Sequence, residues 1–352
     1  SRTSCLRFLA KRLEAKDLFV GIERNWDSAT STGFLVSTTE NLYQENSHAN
    51  TTKATNELLD TLGIAIDQHT KSTISKNSTV LTNIILKALD LRRNKHGEAN
   101  DAVLKEISGV EKGINEKALK MIYKLNDASF RPIFTQLVEW PGSGLAKADK
   151  TGRALRQYSV YGFFDEFFSS LKSIVTNYAT YIVDDAVKIL SSVDPKIGEE
   201  HQLWARVLST LNKCFEHDQD DFWQAPSHFG AVAPVLMEQF MHTASVDVLP
   251  DLIPAVVGLA AAADSQTHQK ELNAALLKHL KSEQTPVRLA AVKCEQALTD
   301  RLGEEWLSML HEMLPRISEL QEDDDEEVER ETLRWIVKIE GVLGESLDAM
   351  LQ

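Results

Sequence analysis

Along most of the chain apolar residues recur at steps of three and four, the spacing of helices with one buried face. Residues 3–28 are predicted to form one or two helices with Leu6, Leu9, Leu13, Phe19, Ile22 and Trp26 turned inward. Residues 28–53 are rich in Ser, Thr and Asn and are predicted to contain a loop. Helical spacing returns at 54–69 and 71–93, and RRNKHGEAND, residues 92–101, is a charged turn. Helices follow at 101–124 and 128–140, with Pro132 suited to a first turn. PGSGLAKADKTG, residues 141–152, is the clearest cluster of helix breakers and is predicted to be an internal boundary. Beyond it, residues 153–193 are densely aromatic (Tyr158, Tyr161, Phe163, Phe164, Phe167, Phe168), which suits a core between stacked helices better than a binding box. Helices are predicted at 199–217, 228–244 and 249–263, the last apolar nearly all round and so covered on both sides. No stretch alternates like a strand. The pattern is all-α.

Two stretches near the C-terminus repeat: TPVRLAAVKCEQALTDRLG, residues 285–303, and EEVERETLRWIVKIEGVLG, residues 326–344. Val287 to Val328 and Gly303 to Gly344 are both 41 residues apart, within the range of a HEAT-type helical repeat. Thr285 is predicted to cap the first copy, with Pro286 at its first helical position. Val287, Ala290, Ala291, Cys294, Ala297 and Leu298 form its stripe; Val328, Thr332, Trp335, Ile336, Ile339 and Leu343 form the matching one. Each copy follows another amphipathic helix, at 268–281 and 305–320. A helical hairpin of this kind buries its stripe only by stacking on neighbours. The expected architecture is therefore a HEAT-repeat-like α-solenoid of stacked antiparallel helix pairs. Its predicted divisions are helical repeats at 1–140, the boundary loop at 141–152, and a C-terminal repeat domain at 153–352 ending in a capping repeat.

The chain of 352 residues opens on Ser1, as expected of a piece of a longer protein. No run of about 18 apolar residues occurs, so no membrane contact is expected. Three well-separated cysteines, Cys5, Cys214 and Cys294, argue against a disulfide framework. Charge changes the picture more. The net −14 divides into 26 basic against 25 acidic residues over 1–200, and 12 against 27 over 201–352. Residues 71–156 alone hold 16 basic and 9 acidic groups, so phosphate contact is expected there and not in the acidic part. The candidate RNA or partner contacts are Arg92, Arg93 and Lys95, then Lys147, Lys150, Arg153 and Arg156. EDDDEEVERE, residues 322–331, makes Asp323, Asp324 and Asp325 candidates for meeting a basic protein partner, although acids also suit a helix start.

Motifs that would carry catalysis are not apparent. Lys150-Thr151 lacks the preceding glycine of a phosphate-binding loop. Cys214, His217, Asp218, Asp220 and Asp221 have neither calcium-loop nor zinc spacing and read as a solvated helix end. There is no HExxH and no nucleophile elbow. Neither an enzyme activity nor a cofactor is expected.

The segment LPRISELQEDDDEEVERETLRWIVKIEGVLGESL, residues 314–347, resembles the C-terminus of the very large HEAT-repeat, U3 small nucleolar RNA-associated subunit of the small-subunit processome. FRPIFTQLVEW, residues 130–140, with the aromatic helix after it, resembles the C-terminal domain of that family. The second repeat carries Glu329 where the first has Arg288, losing an inter-repeat arginine contact, as suits a terminal capping unit. The resemblance implies a nucleolar, non-enzymatic scaffold in ribosome biogenesis, acting in early pre-ribosomal RNA transcription and processing toward 18S RNA. Its implied partners are other processome proteins, pre-ribosomal RNA and the U3 particle. The alternative reading is another HEAT scaffold, such as a nuclear transport receptor or phosphatase scaffold, binding basic protein partners.

Overall fold

A computed structural model describes residues 1–30 and 44–352. Helix accounts for 81% of it, and no strand occurs among the described residues. The fold is all-α, in two compact units, Ser1–Phe167 and Phe168–Gln352.

Unit 1 begins with α1 (Arg2–Arg12), α2 (Ala15–Thr30) and α3 (Gln44–Gln68). The predicted loop between them falls largely at 31–43, outside the described residues, while residues 44–53 lie in α3. Phe19, Ile22 and Trp26 are buried as expected, but Leu9 and Leu13 are 43% and 47% exposed. The reason is that α1 packs mainly on α3 and buries only Ala10. The single helix expected at 71–93 is three: α4 (Lys71–Lys76), α5 (Ser78–Leu89) and α6 (Leu91–Asn94). At the first break the Asn77 side-chain amide donates to the Thr73 carbonyl at 2.9 Å, and its backbone leaves the helical region at φ −104° and ψ 13°. At the second, Asp90 is drawn into the ion pairs described below. The charged turn at 92–101 is thus partly helical, including a short 3₁₀ turn at His96–Glu98.

Next come α7 (Asp101–Ile122), α8 (Asp127–Glu139) and α9 (Lys150–Ser170). Asn126 caps α8 by accepting from the Ser129 N–H at 2.8 Å. That start lies earlier than the sequence suggests and puts Pro132 inside the helix, beyond the first turn. Around α8 and α9 the aromatic residues are core: Phe130, Phe134, Phe164 and Phe167 are buried with ring centroids 5.0–6.0 Å apart.

Unit 2 contains α10 (Val175–Ala179), α11 (Val183–Ser192), α12 (Gly198–Glu216), α13 (Pro226–Glu238), α14 (Leu249–Ala263), α15 (Gln266–His279), α16 (Thr285–Leu302), α17 (Glu304–Leu307), α18 (Leu310–Leu320) and α19 (Glu326–Leu343). Its packing is that of a repeat stack. α12 packs on α14, α14 on α16 and α16 on α19, while α11 packs on α13 and α13 on α15. From α11 to α16 alternate helices are neighbours, which makes two rows built from successive hairpins, and past the short α17 the row of α16 continues in α19. α14 has the predicted bounds and is covered on several sides, with Leu252, Ala255, Val256, Leu259, Ala260 and Ala263 unexposed.

The 41-residue offset holds in three dimensions, since α16 and α19 begin and end 41 residues apart. Val287, Ala291, Cys294 and Leu298 are buried, as are their counterparts Val328, Thr332, Trp335 and Ile339. Ala297 and Leu343 are only half-buried. Both helices end on a glycine of positive φ, Gly303 and Gly344. Two details differ from expectation. Gln284, with no side-chain bond, takes the cap position ahead of Thr285. The predicted helix at 305–320 breaks between α17 and α18, where the Met309 N–H bonds to the Trp306 carbonyl three residues back and Trp306 and Met309 both become buried.

Candidate interaction surfaces

The basic candidates lie in unit 1, and the structure separates them into struts and free cations. Asp90, at the junction of α5 and α6, receives two arginines. Arg93 donates to its two oxygens at 2.7 and 2.6 Å, and Arg156 at 2.8 and 3.2 Å. Arg156 also donates to the carbonyl of Ser143 at 2.7 Å, and its guanidinium lies 4.8 Å from the centre of the Trp140 ring. This one side chain therefore ties α9 to the α5–α6 junction and to the breaker segment. It is 8% exposed, so it is not part of an open basic loop. Burial pushes the Asp90 carboxyl upward, but the hydrogen bonds and charges of Arg93 and Arg156 outweigh it and hold the group below the usual carboxylate range.

Arg92 is buried as well. It pairs with Glu111 on α7 at 2.6 Å, donates to the Ser108 hydroxyl at 3.1 Å and lies 4.7 Å from the Tyr158 ring centre. Lys95 stands 3.8 Å from Glu98, with most of its side chain covered. Arg153 is half-buried and donates to the backbone carbonyl of Lys147. Lys147 and Lys150 are exposed and make no ion pair among the described residues. Of the seven candidates, these two present free charge.

The acidic candidates lie in unit 2 and divide in the same way. Asp323 is held by Arg288 through two bonds of 2.9 and 3.0 Å, and Arg288 also donates to the Ser282 carbonyl. This is an inter-repeat arginine contact, made by α16 to the loop before α19. Asp325 caps α19, accepting from the Glu327 and Val328 N–H groups at 3.0 Å. Asp324 is exposed. Asp218, in the cluster read as a helix end, accepts from the Phe222 and Trp223 N–H groups and shapes a turn.

The periodic pattern did not reveal Asp90 or Glu295. Glu295 on α16 is wholly buried, accepting from the Trp306 indole N–H at 2.9 Å. Burial pushes its carboxyl up to about 8. A pocket of about 770 Å³ also opens in unit 2 beside Leu249, Ile253, Pro254, Pro286 and Leu289. No helix among the described residues is long and apolar enough to cross a membrane.

Comparison with known proteins adds what these surfaces do not carry. The BP28CT (NUC211) domain family matches residues 73–223, which contain both the Phe130–Trp140 segment and the aromatic helix after it. The chain is 56% identical over 354 residues to the U3 small nucleolar RNA-associated protein 10 of Chaetomium globosum, covering 100% of this chain and 19% of that protein. It is 57% identical over 353 residues to the protein of that name in Neurospora crassa, covering 18% of it, and 43% identical to that of Aspergillus oryzae. The chain thus spans about a fifth of the length of the curated relatives it matches. With a BP28CT domain inside it and such identity from end to end, the chain matches the C-terminal part of U3 small nucleolar RNA-associated protein 10.

Proposed function

We propose that this chain is a non-enzymatic scaffold segment of the small-subunit processome, acting in the nucleolus in early transcription and processing of pre-ribosomal RNA toward 18S RNA. The observation that carries this reading is the identity of 56–57% over the whole chain to proteins named for association with U3 small nucleolar RNA. The fold supports it in kind, because stacked hairpins expose long faces to partners and keep their cores local. Most of the charged candidates are committed to holding helices together, which leaves Lys147, Lys150 and Asp324 to face partners. Processome proteins, pre-ribosomal RNA and the U3 particle are the partners this reading implies, and it assigns the chain no reaction.

The test is deletion of this segment from the tagged full-length protein in a fungus. U3 RNA recovered with the tag, nucleolar fluorescence and 18S RNA levels would be measured. The expected result is reduced U3 recovery and reduced 18S RNA. If all three match the undeleted protein, this segment is not a processome scaffold.

A further inference from the structure

Unit 1 contains a second basic feature, separate from the candidates above. A cavity of about 420 Å³ opens between α4 and the start of α8. Lys71, Ser75 and Lys76 line it from α4, and Lys124, Asn126 and Ser129 from the other side. No carboxylate lines it. The Lys124 ammonium is fixed by the carbonyls of Ile66, Asp67 and His69 at 2.7, 3.2 and 2.6 Å and makes no ion pair among the described residues, so one positive charge is built into the wall. Lys71 and Lys76 are exposed and make no ion pair among the described residues. The Ser75 and Ser129 hydroxyls meet at 3.3 Å and join the two sides. The nearby carboxylate of Asp127, at the start of α8, is held at 2.8 Å by Arg131. α8 also opens here, its start capped by Asn126 through the Ser129 N–H.

Three cations, hydroxyl and amide donors and no lining acid suit an oxyanion with several acceptor atoms, which describes phosphate. Lys71 and Lys76 are five positions apart in α4, about 7.5 Å along the axis, so they address two phosphates better than one. Tyr123, immediately before Lys124 in the chain, is 59% exposed, an aromatic ring open to stacking. Cations with an adjacent exposed ring are how proteins hold single strands without reading sequence. This favours RNA over a phosphorylated peptide or free phosphate.

We propose that this cavity binds the backbone of single-stranded RNA, with Lys71 and Lys76 meeting phosphates and Tyr123 stacking on a base. The proposal rests on the reading of the chain as part of a U3-associated assembly. It is tested by anisotropy of a short, mixed-sequence single-stranded RNA titrated with the 352-residue chain at several salt concentrations. Changing Lys71→Gln together with Lys76→Gln should weaken binding about tenfold at low salt and reduce the log–log salt slope by about 1.4, the loss of two single-strand phosphate contacts. Tyr123→Ala should weaken binding about tenfold and leave the slope unchanged. Lys278→Gln with Lys281→Gln, exposed in unit 2, removes the same charge and should change neither. Unaltered circular dichroism and melting would show that each variant is folded. The proposal is overturned if the parent chain binds no RNA at low salt, or if it binds inorganic phosphate but not RNA. It is equally overturned if the two lysine pairs weaken binding alike. Segment deletion in the full-length protein reads U3 association separately, so failure of this site leaves that result to stand on its own.

Discussion

Arg156 joins three stretches of chain, and its loss is expected to be felt in all of them. Arg156→Ala leaves Asp90 with Arg93 alone and frees the Trp140 and Ser143 carbonyls. Breaking a largely buried pair from one side costs about 3 kcal/mol, which urea unfolding would report. A change below about 0.5 kcal/mol would show that the pair is ornamental. Glu295 gives a pH dependence of definite sign. Its folded pKa is about 8 against an ordinary value of 4.5, so between those limits the folded state holds a proton that the unfolded state has released. Stability from this group is complete below pH 4.5 and falls as pH rises through about 8. Glu295→Gln keeps an acceptor for Trp306 and carries no charge. The variant should match the parent near pH 4.5 and exceed it by up to about 4 kcal/mol near pH 9. Denaturation curves of parent and variant that shift in parallel with pH would exclude this account. Neither role was legible in the sequence: Arg156 looked like a free cation because Asp90 lies 66 positions away, and a buried carboxyl inside an apolar stripe looks like a polar interruption.

At the scale of the helix, periodicity revealed most of what was there. The 41-residue offset anticipated two helices whose ends keep that spacing, and the all-apolar stretch anticipated α14 to the residue. What periodicity missed were local hydrogen bonds that interrupt a helix without interrupting its apolar pattern, as at Asn77 and Met309. The terminal glycines allow a graded test. Gly344 has φ 74° and ψ 16°, which alanine enters at about 1 kcal/mol. Gly303 has φ 56° and ψ −128°, a region other residues avoid, so Gly303→Ala should cost about 3 kcal/mol. Nothing lies within 4 Å of a methyl group built at Gly344, and only the Val342 side chain, at 4.0 Å, near one at Gly303, so the difference is one of backbone alone. Equal melting temperatures for the two variants would contradict it. Leu298→Asp and Ile336→Asp place carboxylates at buried positions of α16 and α19 and should cost several kcal/mol each. Their effect on hydrogen exchange should stay within unit 2, and equal loosening of unit 1 would argue against stacked repeats.

Across the whole molecule, charge is the property that distinguishes the two ends. Residues 71–156 are basic and lie in unit 1, while the acidic excess falls after residue 200. The sequence located these regions but not the side chains free to act, because an ion pair looks the same in sequence as two solvated charges. Lys147→Glu with Lys150→Glu should weaken RNA binding for any sequence and flatten its salt dependence, with the fold unchanged. Asp324→Asn should leave RNA binding as it is and weaken a basic protein partner, whereas Asp323→Asn would also loosen Arg288. An unchanged salt titration for the lysine pair would remove those residues from the RNA-facing surface.

The alternating packing of unit 2 bears finally on how such a chain is made. α16 has its main partners in α14, α19, the 3₁₀ turn at Gln239–Ala244, α15 and α17, and α19 packs mainly on α16, α18 and α17. Each hairpin thus finds most of its lasting contacts in chain that has already left the ribosome or will do so within one more hairpin. Short sequence separations favour fast closure, and domains tend to fold from the N-terminus as they are synthesised. The curated relatives it matches are about five times as long as this chain, and in chains of that length such order during translation keeps little apolar surface waiting for a distant partner.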